Sequence, residues 1–230
     1  MIEAAARTAA VRIEVRFGIL SGALAAMLAA SCAHAEQASD DPFAHPASGA
    51  ELRTGLLSEA IAEVERSQVL EGAFTQQRTL RGLPKPLESR GRFLLVRDLG
   101  LQWHTLEPVE DEFVLTRAGL RERRAGNARS RRPQFGPATE LLFALFSLDL
   151  DALDRRFELF GAGSTQDWQI GMRPRDNATA RAIRQAVVRG GDRVQSIALV
   201  NGAGDQLLIE LRDVSVRADG LSAEQRAIFQ

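Results

Sequence analysis

The chain is short of reactive side chains. Its 230 residues include one cysteine, no tyrosine, three histidines and a single lysine, Lys85. A lone Cys32 cannot form an internal disulfide, so the fold depends on its apolar core alone. His34 and His45 lie near the N-terminus, and His104 follows Trp103 in a strand with no second His or Cys beside it. That pattern excludes a zinc site. Ser-His-Asp chemistry would have to use His104, and no nucleophile-elbow pattern is present. Phosphate loops and dinucleotide fingerprints are missing as well. Glu110 and Asp111 form a carboxylate pair, but they follow Pro108 and read as a solvated turn. These absences argue against an enzyme and imply neither cofactor nor metal.

Charge is also close to balanced, with 29 Lys and Arg against 30 Asp and Glu. The first 35 residues have the make-up of an export leader. Arg7, Arg12 and Arg16 form a positive start, and Phe17 to Ser31 is an apolar and small-residue run too short to span a bilayer comfortably. Ala33-His34-Ala35 fits a cleavage site, with Glu36 as the new N-terminus. Ala30-Ser31-Cys32 resembles the end of a lipobox, although Ala29 stands where a larger aliphatic is usual. Plain secretion is the preferred reading. Without the leader the chain keeps 26 basic and 28 acidic residues, which argues against a nucleic-acid binder.

The expected organisation is a leader at 1–35, a flexible lead-in at 36–47 and one domain at 48–230. Ser48 and Glu51 fit a capping box. Leu52, Leu56, Leu57, Ala60, Ile61 and Val64 follow at helical spacing, predicting one amphipathic helix of four to five turns. From Val69 the period moves towards two. Strands are expected at 72–78, 89–96, 101–105, 112–116 and 120–124, with breaks at Leu83-Pro84-Lys85-Pro86 and Ala118-Gly119. A loop rich in Arg, Gly and Pro covers 125–138, followed by helices from Thr139 to Phe146 and around 148–155. Further strands are expected at 157–160, 167–174, 182–189, 194–200 and 206–214, with a short terminal piece near Ile228-Phe229. Strand pairs repeat at turn-limited spacing without βαβ alternation. The fold class is therefore α+β, a large and strongly curved antiparallel sheet with its helices gathered on one face.

Three features invite a functional reading. If Phe93 and Leu95 face the inner side of the sheet, period two brings Arg97 there, and a buried guanidinium must find acceptors such as helix carbonyls. Alternatively the strand ends at Val96 and Arg97-Asp98 is an exposed turn pair. The Leu141 to Phe146 run is apolar on every side and suits either a core helix or a lid touching a ligand. The arginines at 121, 123, 124, 129, 131 and 132 suit a solvated loop or attraction to anionic headgroups.

The ordered set of F-T-Q at Phe74-Thr75-Gln76, G-x-F at Gly91-Arg92-Phe93, Arg97, W-H-T at Trp103-His104-Thr105 and Pro108, after an amphipathic helix, resembles the LolA family of periplasmic lipoprotein carriers. The resemblance runs over roughly 50–230. It implies an unclosed antiparallel half-barrel of about 10–11 strands with a helical lid over an apolar cavity for acyl chains. Phe74, Phe93, Leu95, Leu101, Trp103, Phe113, Leu115, Leu142, Phe143, Leu145 and Phe146 would line it, and Arg97 would match the arginine that latches the lid. It also implies lipoprotein acyl chains or other lipids as cargo, an inner-membrane transporter as donor, an outer-membrane acceptor and a monomeric carrier. Asp98 stands where the family commonly has Pro. The runs Gly100-Leu101-Gln102-Trp103 and Pro86-Leu87-Glu88-Ser89 look more like LolA-like proteins that accompany exporters of a lipid or polyene, an alternative with a different lipid product.

Overall fold

Ser48 begins the ordered helices with the expected capping box. Its Oγ accepts the Glu51 N–H at 3.2 Å, and the Glu51 carboxylate accepts the Ser48 N–H at 2.7 Å. The computed structural model describes residues 41–116, 118–124, 137–218 and 220–230, with backbone alone for 123–124, 137–140 and 142. The expected leader and cleavage site, most of the 125–138 loop, and Arg129, Arg131 and Arg132 lie outside these residues.

The single helix expected after Ser48 is two helices, α1 (Gly49–Thr54) and α2 (Ser58–Arg66), broken at Gly55. Leu52 and Leu57 explain the break. On a straight helix they would point about 140° apart. With the break, and with the Leu57 N–H bonded to the Leu52 carbonyl at 2.8 Å, both are buried at 2 % and 0 % exposure. The preceding segment, expected as a lead-in, ends in a two-residue strand β1 (Pro46–Ala47). Phe43 packs edge-on against Phe160 there, at 5.5 Å between ring centroids.

Eleven strands form one antiparallel sheet. In chain order they continue as β2 (Val69–Thr79), β3 (Leu87–Val96), β4 (Gly100–Glu107), β5 (Asp111–Thr116), β6 (Gly119–Arg124), β7 (Phe157–Ser164), β8 (Asp167–Pro174), β9 (Gln185–Gly190), β10 (Val194–Val200) and β11 (Gln206–Arg217). In space the order is β1-β7-β8-β9-β10-β11-β2-β3-β4-β5-β6, so β1 and β6 are the two ends of an unclosed half-barrel. Period-two alternation put most of these strands within reach of the sequence, because one face is apolar and the other wet. Register shifts at Arg90/Gly91, Val194/Ser196 and Arg212/Ser215 bend the sheet. At the third shift Asp213 takes a left-handed φ of 50°.

Helices cover the inner face. They include α3 (Pro137–Phe146), α4 (Leu150–Arg156) and α5 (Asn177–Ala182), the last not expected from the sequence. Asp176 caps α5, accepting the N–H groups of Ala178 and Thr179 at 2.8 Å each. The strand expected from Ala182 accordingly starts three residues later, at Gln185. The terminal strand expected near Ile228 is also corrected. Ser222 and Gln225 form a second capping box, and the residues make a helix, α6 (Ala223–Ile228). With Leu221 and Phe229, Ile228 packs on Val69, Leu94 and Val96 of the outer face. Helical geometry there turns apolar side chains onto a sheet whose strand edges are already paired.

Candidate functional site

The inner face of β2–β5 is built in rows. Cross-strand pairing sets Phe93, Trp103 and Phe113 side by side, and Leu95, Leu101 and Leu115 in the next row. Phe74 stacks on Trp103 at 3.8 Å between ring centroids. Gly91, the partner of Phe74 across the ladder, makes the room. A Cβ there would stand 2.0 Å from the His104 carbonyl oxygen and 2.8 Å from the Phe74 ring. This close approach is the physical content of the G-x-F motif.

The α3 helix closes over these rows. Phe146 lies 5.4 Å from Phe93 and 6.0 Å from Trp103, centroid to centroid. Leu141, Ala144 and Leu145 are buried beside it. Two features end α3: the Ser147 hydroxyl donates to the Phe143 carbonyl at 2.8 Å, and Leu148 adopts a left-handed φ of 48°. Asp149 then caps α4 by accepting the Ala152 N–H at 2.9 Å. Ser147 and Asp149 thus end the apolar α3 helix and start α4 within three residues.

Phe74, Phe93, Leu95, Leu101, Trp103, Leu115, Leu145 and Phe146 belong to one buried apolar cluster, with Phe113 and Phe143 half-buried against it. Leu142 lies in α3, with its side chain outside the described residues. Open space adjoins this cluster at two places, a cavity of about 180 Å³ beside Leu141, Ala144, Leu153 and Phe157 and a larger one at the other end. A cavity of about 380 Å³ lies beyond the aromatic rows, walled by Leu70, Leu95, Phe143, Phe146, Val194 and Val216. Of the expected lining, Leu95, Phe143 and Phe146 reach it, while the remaining described residues fill the interior beside it. Leu70, Val194 and Val216 are apolar residues of strands β2, β10 and β11 that no motif marks.

Arg97 stands at the rim of this cavity. The β3 strand ends at Val96, so Arg97 and Asp98 form an exposed turn, with Asp98 at a φ of 67°. The Arg97 guanidinium still donates to a helix carbonyl, that of Val64 in α2, and its backbone N–H to the Gln68 carbonyl at 2.9 Å. The helix it holds is α2 rather than α3. A second arginine at the rim, Arg193, comes from the β9–β10 turn. It donates to the Val214 carbonyl at 2.8 Å and to Asp192 at 3.1 Å. Val214 falls in the register gap next to Asp213, which frees its carbonyl from the β11–β2 ladder. The sequence signal for Arg193 is only the Gly190-Gly191-Asp192 turn before it. Glu63, Glu65, Asp98 and Asp149 complete the charged rim.

The chain matches the family model described as outer membrane lipoprotein carrier protein LolA-like over residues 62–223. No curated protein matches it significantly. Among solved structures it is similar to a LolA superfamily protein from Nitrosomonas europaea, at 9 % identity over 76 % of this chain and 96 % of that one, with a TM-score of 0.43. It is also similar to a chain of the Pseudomonas aeruginosa MucA/MucB complex, at 15 % identity over 75 % of this chain and 61 % of that one, with a TM-score of 0.44. A third is a lipoprotein-sorting protein domain from Vibrio parahaemolyticus, at 10 % identity over 77 % of this chain and 99 % of that one, with a TM-score of 0.34. On the match over residues 62–223, the chain belongs to the outer membrane lipoprotein carrier protein LolA-like family.

Proposed function

We propose that the protein is a periplasmic carrier that takes lipoprotein acyl chains from an inner-membrane transporter and passes them to an outer-membrane acceptor. It works as a monomer, by reversible burial and without bond chemistry. The observation that carries this reading is the apolar cavity of about 380 Å³ between the inner face of the sheet and the α2 and α3 helices. Each methylene moved from water into such a space gains about 0.8 kcal/mol. Ligand pockets usually run from about 300 to 1,000 Å³, so this one is small for a multi-chain cargo. Larger cargo therefore requires α3 to lift, and acyl chains replace the contacts that Leu141, Leu145 and Phe146 lose. Arg97 acts as the latch through its bond to the Val64 carbonyl, which biases the α2 end of the cavity towards closure. Arg97→Leu is expected to slow release of cargo large enough to need the open form, because the bond that favours closure and so expels it is gone, measured as the off-rate of a multiply acylated peptide. An unchanged off-rate would remove the latch role.

The test of the carrier reading is mass spectrometry of lipids that co-purify with the protein from its own periplasm. Acylated peptides or acyl lipids are expected, and a lipid-free protein after gentle extraction would overturn the reading. A second reading, an exporter accessory that binds a different lipid product, is favoured by the cavity size, which suits a small cargo without movement of α3. The identity of the recovered lipid separates the two.

A further inference from the structure

We propose that the cavity selects a single-chain amphiphile with an anionic head, held at the rim by Arg97 and Arg193. The proposal rests on the carrier reading above and names the chemical class of cargo that the closed form accepts. Three observations support it. First, the wall is mainly apolar: Leu70, Leu95, Phe143, Phe146, Val194 and Val216 carry no polar side-chain atom. Ser67 and Ser147 also line it but donate their hydroxyls to the Glu63 and Phe143 carbonyls, and Gln68 is exposed at the rim, so the buried part of the ligand is largely hydrocarbon. Second, a volume of about 380 Å³ is near the lower bound of ordinary ligand pockets and suits one chain rather than three.

Third, two guanidiniums border the same cavity, and both are positioned by backbone carbonyls. Arg97 donates to Val64 in α2, and Arg193 donates to Val214 beside the β11 bulge. A neutral carbonyl fixes a guanidinium without neutralising it. An arginine has five N–H donors, so each retains others for a head group. Arg193 is only 29 % exposed, which strengthens an ionic hydrogen bond to it relative to one in open water. The rim carboxylates are engaged differently. Glu63 pairs with Arg66 at 2.8 Å, and Asp149 is committed to the α4 cap. Asp192, which shares Arg193, is 74 % exposed and therefore a screened, weak competitor. Glu65 and Asp98 also border the cavity and oppose an anion, so the head group must bond the arginines directly to gain.

A carboxylate and a phosphomonoester share this chemistry, and the probes distinguish them. Isothermal titration of the full protein would compare dodecanoate, dodecanoyl-lysophosphatidate, dodecanol and dodecylammonium, each below its micelle concentration at about pH 8. At least one of the two anions is expected to bind about tenfold or more tighter than dodecanol, the gain of one ionic hydrogen bond, and the tighter anion names the head. Arg193→Gln should reduce that advantage while leaving dodecanol affinity near wild type, and should lower the melting temperature modestly through the lost bond to the Val214 carbonyl. Equal affinities across the four heads, or preference for dodecylammonium, would overturn the anionic assignment and leave the carrier reading intact. Failure of all four to bind would overturn this proposal, while the carrier reading is decided separately by the lipids that co-purify. The comparison of heads on the unmodified protein stands even if the variant does not fold.

Discussion

The two ends of the inner face use the same sheet differently. Over β2–β5, large flat side chains fill the space: Phe74 and Trp103 stack at 3.8 Å, and Phe93, Phe113 and Phe146 complete the layer. Towards the α2–β2 turn the wall changes to Leu70, Val194 and Val216, with Phe143 half-buried above, and about 380 Å³ stays open. The first end rigidifies the barrel. The second keeps apolar surface available without exposing it to bulk water. Rings that stack in register fill the layer, whereas the smaller branched side chains of Leu70, Val194 and Val216, on the neighbouring strands β2, β10 and β11, do not reach across to fill the space under Phe143.

That contrast can be broken experimentally, most severely at the filled end. Trp103→Ala should destabilise the protein by about 3–5 kcal/mol, read as a lower urea midpoint. A loss under 1 kcal/mol would mean that the aromatic layer is not the structural centre. Gly91→Ala places a methyl against the His104 carbonyl oxygen and the Phe74 ring, and should cost about 1–3 kcal/mol by the same measurement. At the open end, Val194→Ala removes two carbons beside existing space. It should cost roughly 1.5 kcal/mol while weakening binding of an acyl probe. If Val194→Ala left the probe affinity untouched and Trp103→Ala abolished it, the site would belong under the rings instead. Arg97→Leu should change global stability little but speed amide exchange in the Val64–Gln68 segment, because the side-chain bond to the Val64 carbonyl is lost while the backbone bond to Gln68 remains.

The smallest expected effect lies away from both ends, at Asp176. The Thr179 backbone N–H, then the Thr179 hydroxyl, Ala178 and the charge of Arg156, hold its carboxyl below the ordinary value of 3.8. A lowered folded value means that the stabilisation is complete above about 3.8 and fades as pH falls through the lower value. Asp176→Ala should therefore melt below wild type at neutral pH, with the gap closing in acid. A gap that persists unchanged at about pH 2.5 would mean that the cap acts without its charge.

Several elements were legible because their signals are local. The capping box at Ser48 and Glu51, the strands over 167–174 and 194–200, and the apolar run ending at Phe146 all stand as the sequence reads. The misses have physical reasons. The break at Gly55 follows from burying Leu52 and Leu57 on one sheet, a tertiary demand that helical periodicity does not express. The α6 helix packs on Val69, Leu94 and Val96, residues more than 120 positions earlier, so its short apolar stretch read as a strand. For the site, G-x-F and W-H-T marked the filled end, because stacked rings need fixed partners. The open end carried no motif, since almost any branched residue can bound empty space.

By itself the amino-acid sequence determined the antiparallel, one-face-apolar sheet, the apolar helix to cover it and the scarcity of reactive groups, because periodicity and residue chemistry are properties of neighbours along the chain. Only the tertiary structure decided where the space remains and which charges border it. Arg97 and Arg193 are 96 positions apart and meet one cavity because the bend of the sheet brings the α2–β2, β3–β4 and β9–β10 turns to the same end. Volume and convergence depend on how strands curve and where bulges fall, and those are set by long-range register rather than by any local run of residues.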